Sequence, residues 1–424
     1  MSIKKIAKFI RWFYPGLKIK RWIGLLVFGL FLMFISLYFL SRETSLIVRI
    51  IYKALFSVGI CALLLGTVYL IKSFFEALYP DEEKDLIDII YARRFLSKGP
   101  KIVTIGGGTG LSTILDGLKE YTSNITAIVT VSDEGGSSGR LREEFGILPP
   151  GDIRNCLVSL AEAPQLMRDL FQYRFTEGGS MKGHSFGNLF ITAMTQVTGS
   201  FEEAIKASSK VLAIRGNVIP SSLEKTRLHA EYNDGTVKEG EDKIANGTMS
   251  IKKVSLIPAD ARANPEAIEA IRQADAIILG PGSLFTSVIP NLLIKEIRDE
   301  LTQKNVMKLY LCNVMTQPGE TDGFTAADHL QALIAHSNEN NVNCCLVNSG
   351  RLEYPLLIRY AQDRSFPVIF DRERLKKMGL TVFDDNIVSK KDYLHHDSER
   401  TAKIVMNIYS YYKKRWKGLK SRLS

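Results

Sequence analysis

Two long stretches without charge dominate the hydrophobic pattern near the N-terminus. No charged residue occurs from Trp22 to Leu40 or from Ala54 to Ile71, and each stretch approaches the ~20 residues that a helix needs to cross a bilayer. A secretory signal peptide would be followed by a small-residue cleavage site, and a buried hairpin of a soluble domain would not be bracketed by basic residues. The pattern therefore predicts a two-helix transmembrane hairpin within residues 1–72.

The pattern changes twice after the second span. Residues 73–100 have helical periodicity and end in a Gly-Pro pair, which predicts a juxtamembrane linker helix. From Lys101 onward, short apolar runs alternate with helical segments. This alternation predicts an α/β domain over residues 101–424, with a Rossmann-like, mostly parallel sheet and helices on both faces.

Two parts of this domain depart from simple strand and helix alternation. Residues 221–262 contain an Asn-Asp-Gly turn between two extended segments, which predicts a β-hairpin excursion from the main sheet. Residues 397–420 have the apolar spacing of an amphipathic helix and a basic end. We therefore expect the chain to close on a long C-terminal helix.

The net charge of +10 is concentrated at the two ends. Seven lysines and arginines precede the first span and six lie in the last twelve residues, which leaves a charge of about −3 for the rest. Basic ends beside a membrane are attracted to anionic headgroups, and no basic stripe typical of nucleic-acid binding occurs between them. We therefore expect a membrane and no nucleic acid as a partner.

The distribution of basic residues and cysteines also predicts the compartment. The loop between the spans carries only three basic residues, so the positive-inside rule places the N-terminus in the cytoplasm. Two spans return the chain to the same side, which makes the protein a multi-pass protein of the cell membrane with its main domain in the cytoplasm. The five cysteines form no C-x-x-C pair, as is usual in a reducing compartment.

The segment IVTIGGGTGLSTILDGL carries the first candidate for ligand binding. Its glycines follow an apolar strand and precede a helix, where exposed amides bind phosphate. The third glycine of a G-x-G-x-x-G fingerprint is missing, because Leu111 or Thr113 stands at that position, so NAD is not favoured. A glycine turn that serves only packing stays open. The candidate residues are Gly106, Gly107, Gly108, Thr109 and Gly110.

The segment AIVTVSDEGGSSGRLREEFG ends the next apolar run at an acidic residue. Asp133 occupies the place where a doubly wound sheet presents an acid to a ribose or a metal. The following loop is rich in hydroxyls, glycine and arginine, which suits a diphosphate or a charged sugar; a surface turn is the alternative. The candidates in this loop are Gly136, Ser137, Ser138, Gly139 and Arg140.

Further polar candidates follow other strands and helix starts. The segment ADAIILGPGSLFTSVIPNLL repeats the strand, glycine and helix arrangement, and two such anion sites in one sheet suit a ligand with two ends. Asp152 stands where a helix cap belongs, and Asn155 points either at a cleft or at the surface. The remaining candidates are His184, Asn188, Gly280, Gly282, Ser283, Thr286 and Asn313.

Six motifs in order resemble the YvcK/CofD-like family, in its gluconeogenesis-factor branch. They run from Lys101 to the final helix, outside the membrane hairpin, and read IGGGTGLSTILDGLK, TVSDEGGSSGRLREEFG, PPGDIRNCLVSL, GHSFGNLFI, GPGSLFTSVIPNLL and CNVMTQPGETDGFT. The resemblance implies a Rossmann-like sheet that binds UDP-N-acetylglucosamine or a related UDP-sugar. It also implies a protein that couples carbon metabolism to cell shape and cell-wall synthesis.

The related CofD transferases offer a second hypothesis. They move a phospholactyl group from a nucleotide diphosphate donor to a deazaflavin with a divalent cation, and their strand-end acidic residue is matched by Asp133. The surrounding GGSSGRLR segment belongs instead to the gluconeogenesis-factor branch. A membrane-anchored regulator is therefore the leading hypothesis, with cell-wall synthesis or regulatory proteins as partners; a transferase, a Mg²⁺ ion at Asp133 and a homo-oligomer stay open.

Overall fold

The computed structural model describes residues 19–42, 45–78, 94–245, 250–389 and 396–423. The contacts within the chain divide it into two units, Met1–Tyr91 and Ala92–Ser424. Most of the linker helix expected within residues 73–100 lies outside the described residues. The second unit begins with a 3₁₀ turn at Leu96–Lys98, which leads directly into the first strand.

The first unit contains two apolar helices, α1 (Ile19–Leu40) and α2 (Leu46–Leu78), which pack against each other. Each is long and apolar enough to cross a membrane, and only 11% of each apolar window is buried. A core helix of a soluble protein would bury most of that surface. α2 begins eight residues before the uncharged stretch, because apolar residues on both sides of Arg49 and Lys53 extend its helical surface.

The second unit contains ten strands and fourteen helices among its described residues. The strands are β1 Ile102–Gly106, β2 Ile125–Val129, β3 Asn217–Pro220, β4 Arg227–Tyr232, β5 Val237–Glu239, β6 Ile251–Ile257, β7 Ala276–Leu279, β8 Met307–Leu311, β9 Cys344–Asn348 and β10 Thr381–Asp385. The helices are α3 Gly108–Leu118, α4 Gly136–Phe145, α5 Gly151–Leu160, α6 Gln165–Gln172, α7 Phe186–Thr198, α8 Phe201–Val211, α9 Glu241–Ala245, α10 Pro265–Gln273, α11 Ile289–Leu293, α12 Lys295–Gln303, α13 Ala326–His336, α14 Tyr354–Gln362, α15 Arg372–Lys377 and α16 Ser398–Leu423.

Seven strands form the main sheet in the order β10-β9-β8-β7-β1-β2-β3. Every neighbouring pair in it is parallel, which confirms the predicted fold class. The chain builds outward from β1 through β2 to β3 and then returns to add β7 on the opposite side. The order therefore reverses between β1 and β7, and ligands of doubly wound sheets bind outside the carboxyl ends of strands at such a point.

Helices cover both faces of this sheet. Ile102 packs into one apolar core together with α3, α5 and α16, whereas Val103 packs into a second core together with α10, α12 and α13. Successive side chains of a strand point to opposite faces, so a strand that is buried on both faces is mostly apolar. This is why β1 is a nearly continuous apolar run, interrupted by the buried Thr104.

The three remaining strands form a separate antiparallel sheet in the order β5-β4-β6. β4 and β5 are the predicted hairpin, with His229 opposite Glu239, and β6 completes the sheet on the other side of β4. Its buried residues Leu228, Tyr232 and Val254 join the second apolar core. The excursion is thus packed against the parallel sheet, and it delivers the short helix α9 to the edge described below.

Candidate functional site

A cavity of about 520 Å³ opens at the carboxyl edge of the parallel sheet, where β1 and β7 end. It is lined by Gly108, Thr109, Gly110, Thr113, Thr130, Asp133, Asp152, Glu241, Pro281, Gly282, Ser283, Thr286, Ser287, Asn313, Val314, Met315, Thr316, Gln317, Pro318, Tyr360, Asp363, Ser365 and His396. Its position is the switch point between β1 and β7. The sheet topology and the cavity therefore indicate the same place for a ligand.

The turn from β1 into α3 presents backbone amides to this cavity. Gly107 caps the helix without a side-chain bond, and Gly108 has a φ of +67°, which favours glycine. The first amides of a helix lack an acceptor within it, and both Thr109 and Gly110 line the cavity. A methyl group on Gly110 would lie 2.8 Å from the carbonyl oxygen of Pro281. Glycine therefore lets this helix start approach the loop after β7.

The second strand-to-helix turn is different, because protein groups already bind its amides. The Gly282 N–H donates to the side-chain oxygen of Asn313 at 3.3 Å, and the Phe285 N–H donates to Glu320 at 3.3 Å. The Thr286 hydroxyl also donates to Glu320, at 3.1 Å. The sequence predicted two equivalent anion sites. At the first turn the amides are open to the cavity. At the second turn a ligand would meet the Ser283 hydroxyl rather than amides.

Glu320 is the residue that sequence reasoning did not assign to this second turn. Its side chain is 2% exposed and holds the π-helical turn Leu284–Val288 through Phe285 and Thr286. Burial raises the pKa of Glu320 to about 7, against the opposing effect of these hydrogen bonds. Glu320 therefore supports the wall of the cavity and titrates near neutral pH.

Asp152 contributes a carboxylate to the cavity instead of capping a helix. The N-cap of α5 is Pro150 without a side-chain bond, so the cap role expected for Asp152 is wrong. Its carboxylate accepts a hydrogen bond from the Gly108 amide, and burial together with the charge of Asp133 raises the pKa of Asp152 to about 7. The first turn of α5 aims this side chain at the start of α3.

Asp133 lies near Asp152 in the loop after β2, four residues beyond the end of that strand at Val129 and not at the strand end itself. Its carboxylate accepts hydrogen bonds from the Gly135 amide at 2.9 Å and from the Ser138 hydroxyl. Burial raises the pKa of Asp133, although these bonds and the charges of Arg154 and Arg142 oppose the shift. At neutral pH such a pair of carboxyl groups can both donate and accept hydrogen bonds, which suits a ligand with hydroxyl groups.

Acidic side chains line the cavity. Four of its lining residues are acids, Asp133, Asp152, Glu241 and Asp363, and in the described part of the chain no lysine or arginine lines it. An anionic ligand therefore has to be bound through backbone amides, protonated carboxyl groups or an accompanying cation. Among the described residues, no group of three His, Cys, Asp or Glu side chains is arranged to hold a metal ion.

The glycine and serine loop after Asp133 is mostly folded into α4. Ser137 and His184 are buried and their Oγ and Nδ1 atoms lie 2.9 Å apart, while the Asn188 amide donates to the same hydroxyl at 3.1 Å. Burial and the charge of Arg140 lower the pKa of His184. These three residues form a hydrogen-bonded cluster that joins α4 to α7 behind the cavity wall.

The structure brings some of the predicted residues together at the cavity and leaves others outside its lining. The predicted residues that line it are Gly108, Thr109, Gly110, Asp133, Gly282, Ser283, Thr286 and Asn313. Those outside its lining are Gly106, Gly107, Gly136, Ser137, Ser138, Gly139, Arg140, Asn155, His184, Asn188 and Gly280. Asn155 accepts a hydrogen bond from Arg154 at 2.7 Å, and the Arg140 guanidinium donates to the Lys182 carbonyl at 2.9 Å.

Comparison with known proteins shows the family to which the chain is similar. A family model described as 2-phospho-L-lactate transferase CofD matches residues 102–388. A "Gluconeogenesis factor" of Bacillus subtilis strain 168 is 48% identical over 74% of this chain and 99% of its own. A "Putative gluconeogenesis factor" of Nostoc sp. strain PCC 7120 is 46% identical over 96% of this chain and 93% of its own, so that match also covers most of the residues before β1.

A solved structure matches much of the chain at similar identity. It is the crystal structure of a member of the UPF0052 family from Bacillus halodurans, with a TM-score of 0.71 and 46% sequence identity. The match covers 73% of this chain and 99% of that chain. At this identity the two proteins are similar in sequence as well as in fold.

Proposed function

The chain belongs to the CofD family, in which its relatives are named gluconeogenesis factors, and on this premise we propose that it binds a UDP-sugar. The ligand is UDP-N-acetylglucosamine or a close relative, held in the cavity between β1 and β7. The protein acts as a regulator anchored in the cell membrane. It links carbon metabolism to cell shape and cell-wall synthesis, through partner proteins that respond to the bound state.

The observation that carries this proposal is the arrangement of the cavity at the switch point of the sheet. The amides of Thr109 and Gly110 provide donors for a diphosphate at one side of it. Asp133 and Asp152 provide acceptors for hydroxyl groups beside them. A nucleotide-sugar contains both chemistries, a diphosphate in the middle and hydroxyl groups on the ribose and on the hexose.

Calorimetric titration of the full-length chain in detergent tests the proposal. We expect saturable heat with UDP-N-acetylglucosamine and none with NAD, because the turn at Gly106 to Gly110 lacks the third glycine of the dinucleotide fingerprint. Absence of heat with UDP-N-acetylglucosamine, UDP-glucose and UDP-galactose at saturating concentration would contradict UDP-sugar binding. Equal heat with NAD would contradict the selectivity.

A second candidate function, group transfer from a nucleotide diphosphate donor, is favoured by the carboxylate pair of Asp133 and Asp152. Mg²⁺ is commonly held by one or two carboxylates together with the substrate's phosphates, and such a pair lies at the cavity. Mass spectrometry of the nucleotide recovered from the titration, with and without Mg²⁺, separates the candidates. A binding protein returns UDP-N-acetylglucosamine unchanged, whereas a transferase that accepts it as a donor returns a cleaved nucleotide.

The membrane anchor is a separate part of the proposal with its own test. α1 and α2 are apolar and largely exposed, so we expect the chain to sediment with membranes and to resist extraction by alkaline carbonate. With the N-terminus and the main domain in the cytoplasm, a protease added outside spheroplasts should leave the main domain intact. Release by carbonate, or digestion of the domain from outside, would contradict the anchor or its orientation.

A further inference from the structure

Glu241 is a carboxylate of the cavity that the parallel sheet does not supply. It belongs to α9, which follows β5 in the antiparallel excursion, and it lines the cavity together with Asp133 and Asp152. No sequence motif singles it out. Its position depends entirely on how the excursion packs against the edge of the main sheet.

Contacts with the loop after β2 fix the excursion in this position. The Glu134 carboxylate lies 3.2 Å from Arg227 of β4 and 3.2 Å from Arg142 of α4. Just before Glu241, the Gly240 amide donates to the Leu228 carbonyl at 2.8 Å. A methyl group on Gly240, whose φ is +99°, would lie 2.7 Å from Glu134. The backbone that presents Glu241 is therefore held by both β4 and the loop after β2.

The Glu241 and Asp133 side chains approach the same point beside Gly135. Oε2 of Glu241 and Oδ1 of Asp133 each lie 3.4 Å from the point where a Cβ atom of Gly135 would stand. Across the described ranges, Glu241 has no hydrogen-bond donor or cation as a partner. Burial, and then the charges of Asp133 and Asp152, raise the pKa of Glu241 to about 8.

Glu241 is a half-buried carboxyl group without a donor in the described part of the chain, whereas Asp133 already accepts hydrogen bonds from Gly135 and Ser138. A carboxyl group that lacks a donor favours one from a ligand. Asp133 keeps lone pairs for a further bond, so a pair of neighbouring hydroxyl groups offers one donor to each carboxyl group. We propose that Glu241 and Asp133 together bind a vicinal diol of the ligand, which makes the antiparallel excursion a specificity element of the site. This inference rests on the proposed function, because the diol belongs to the ribose or the hexose of a UDP-sugar.

The test compares Glu241→Ala and Glu241→Gln with the original full-length chain in detergent and EDTA, by calorimetric titration. At pH 9, where the Glu241 carboxylate is ionised, we expect Glu241→Ala to weaken UDP-N-acetylglucosamine binding about 10- to 100-fold, as for loss of a hydrogen bond to a charged group. Glu241→Gln keeps an acceptor oxygen and should lose less. The control is Glu231→Ala, which removes a half-exposed acid of the same antiparallel sheet that pairs with Lys252 and does not line the cavity, and it should bind like the original chain.

Titrations with UDP and 2′-deoxy-UDP identify the source of the diol. A hexose diol predicts that Glu241→Ala weakens UDP-N-acetylglucosamine but not UDP. A ribose diol predicts that it weakens both, while 2′-deoxy-UDP, which is already weaker, loses little more. Either pattern supports the inference.

Two results would overturn it while leaving UDP-sugar binding intact. One is binding by both Glu241 variants within about twofold of the original chain, a difference too small for a lost hydrogen bond to a charged group. The other is a loss that appears only when Mg²⁺ replaces EDTA, because the carboxylates would then hold a cation. Failure of the original chain to bind any UDP-sugar is a different result, which removes the proposed function itself.

Discussion

Gly110→Ala should weaken UDP-N-acetylglucosamine binding by about tenfold or more and destabilise the second unit by about 1–3 kcal/mol. The added methyl group would lie 2.8 to 2.9 Å from backbone atoms of Pro281 and Gly282, and backbone cannot rotate away as a side-chain end can. The start of α3 would have to move from the loop after β7. That movement displaces the Thr109 and Gly110 amides from the phosphate position.

The direction of the stability change distinguishes a steric clash from an effect of helix propensity. Alanine is a better helix former than glycine by up to about 1 kcal/mol, so a purely local effect would stabilise the variant. Gly106→Ala is the matched substitution for stability, since its methyl group would lie 3.6 Å from Leu111 in ordinary contact. We expect Gly106→Ala to melt close to the original chain. A Gly110→Ala protein that melts and binds like the original chain would contradict the close approach of the two loops.

Asp152→Asn should stabilise the unliganded protein, and the gain should grow as the pH rises. The folded state holds Asp152 with a pKa of about 7, against an ordinary value of 3.8. Each pKa unit corresponds to about 1.4 kcal/mol, so above neutral pH the ionised carboxylate costs the folded state on the order of 4 kcal/mol. Asparagine retains an oxygen for the Gly108 amide and removes the charge.

The direction follows from proton binding. Between about pH 4 and pH 7 the folded state binds more protons at Asp152 than the unfolded chain does, so stability falls as the pH rises through this window. Above about pH 7 the folded and unfolded states bind the same number of protons at Asp152, so this group causes no further change in stability. The advantage of Asp152→Asn should therefore be small at pH 4.5, increase up to about pH 7 and stay level to pH 8.5.

Thermal unfolding across this pH series measures the effect. Glu144→Gln is the comparison, because it also removes one negative charge, at an exposed position of α4. An advantage of Asp152→Asn that is constant from pH 4.5 to 8.5 would contradict the raised pKa of Asp152. A loss of stability at pH 8.5 would contradict the repulsion between Asp152 and Asp133.

The hydrophobic pattern was sufficient to predict the architecture. Strands buried on both faces are mostly apolar, so β7 stands out in the sequence as an uninterrupted apolar run and β1 as one interrupted only by Thr104. The polar residues that follow them mark the carboxyl edge of the sheet. This is why Thr109, Asp133 and Asn313 could be placed at one edge before the structure was known.

The residues that sequence reasoning missed depend on contacts between distant segments. Glu320 occupies the amides of the second glycine turn from a loop 34 residues away in sequence from Thr286, and a local pattern cannot distinguish an open amide from an occupied one. Glu241 reaches the cavity only because the antiparallel excursion packs against the loop after β2. Asp152 was expected to be a cap, but it lies two positions after the N-cap Pro150, in the first turn of α5.

A structure of the full-length chain bound to UDP-N-acetylglucosamine would show directly where the ligand lies. We expect the diphosphate beside the amides of Thr109 and Gly110, with hydroxyl groups of the ligand within hydrogen-bond distance of Asp133, in the cavity between β1 and β7. A ligand bound elsewhere on the chain, or an empty cavity at saturating ligand, would contradict it.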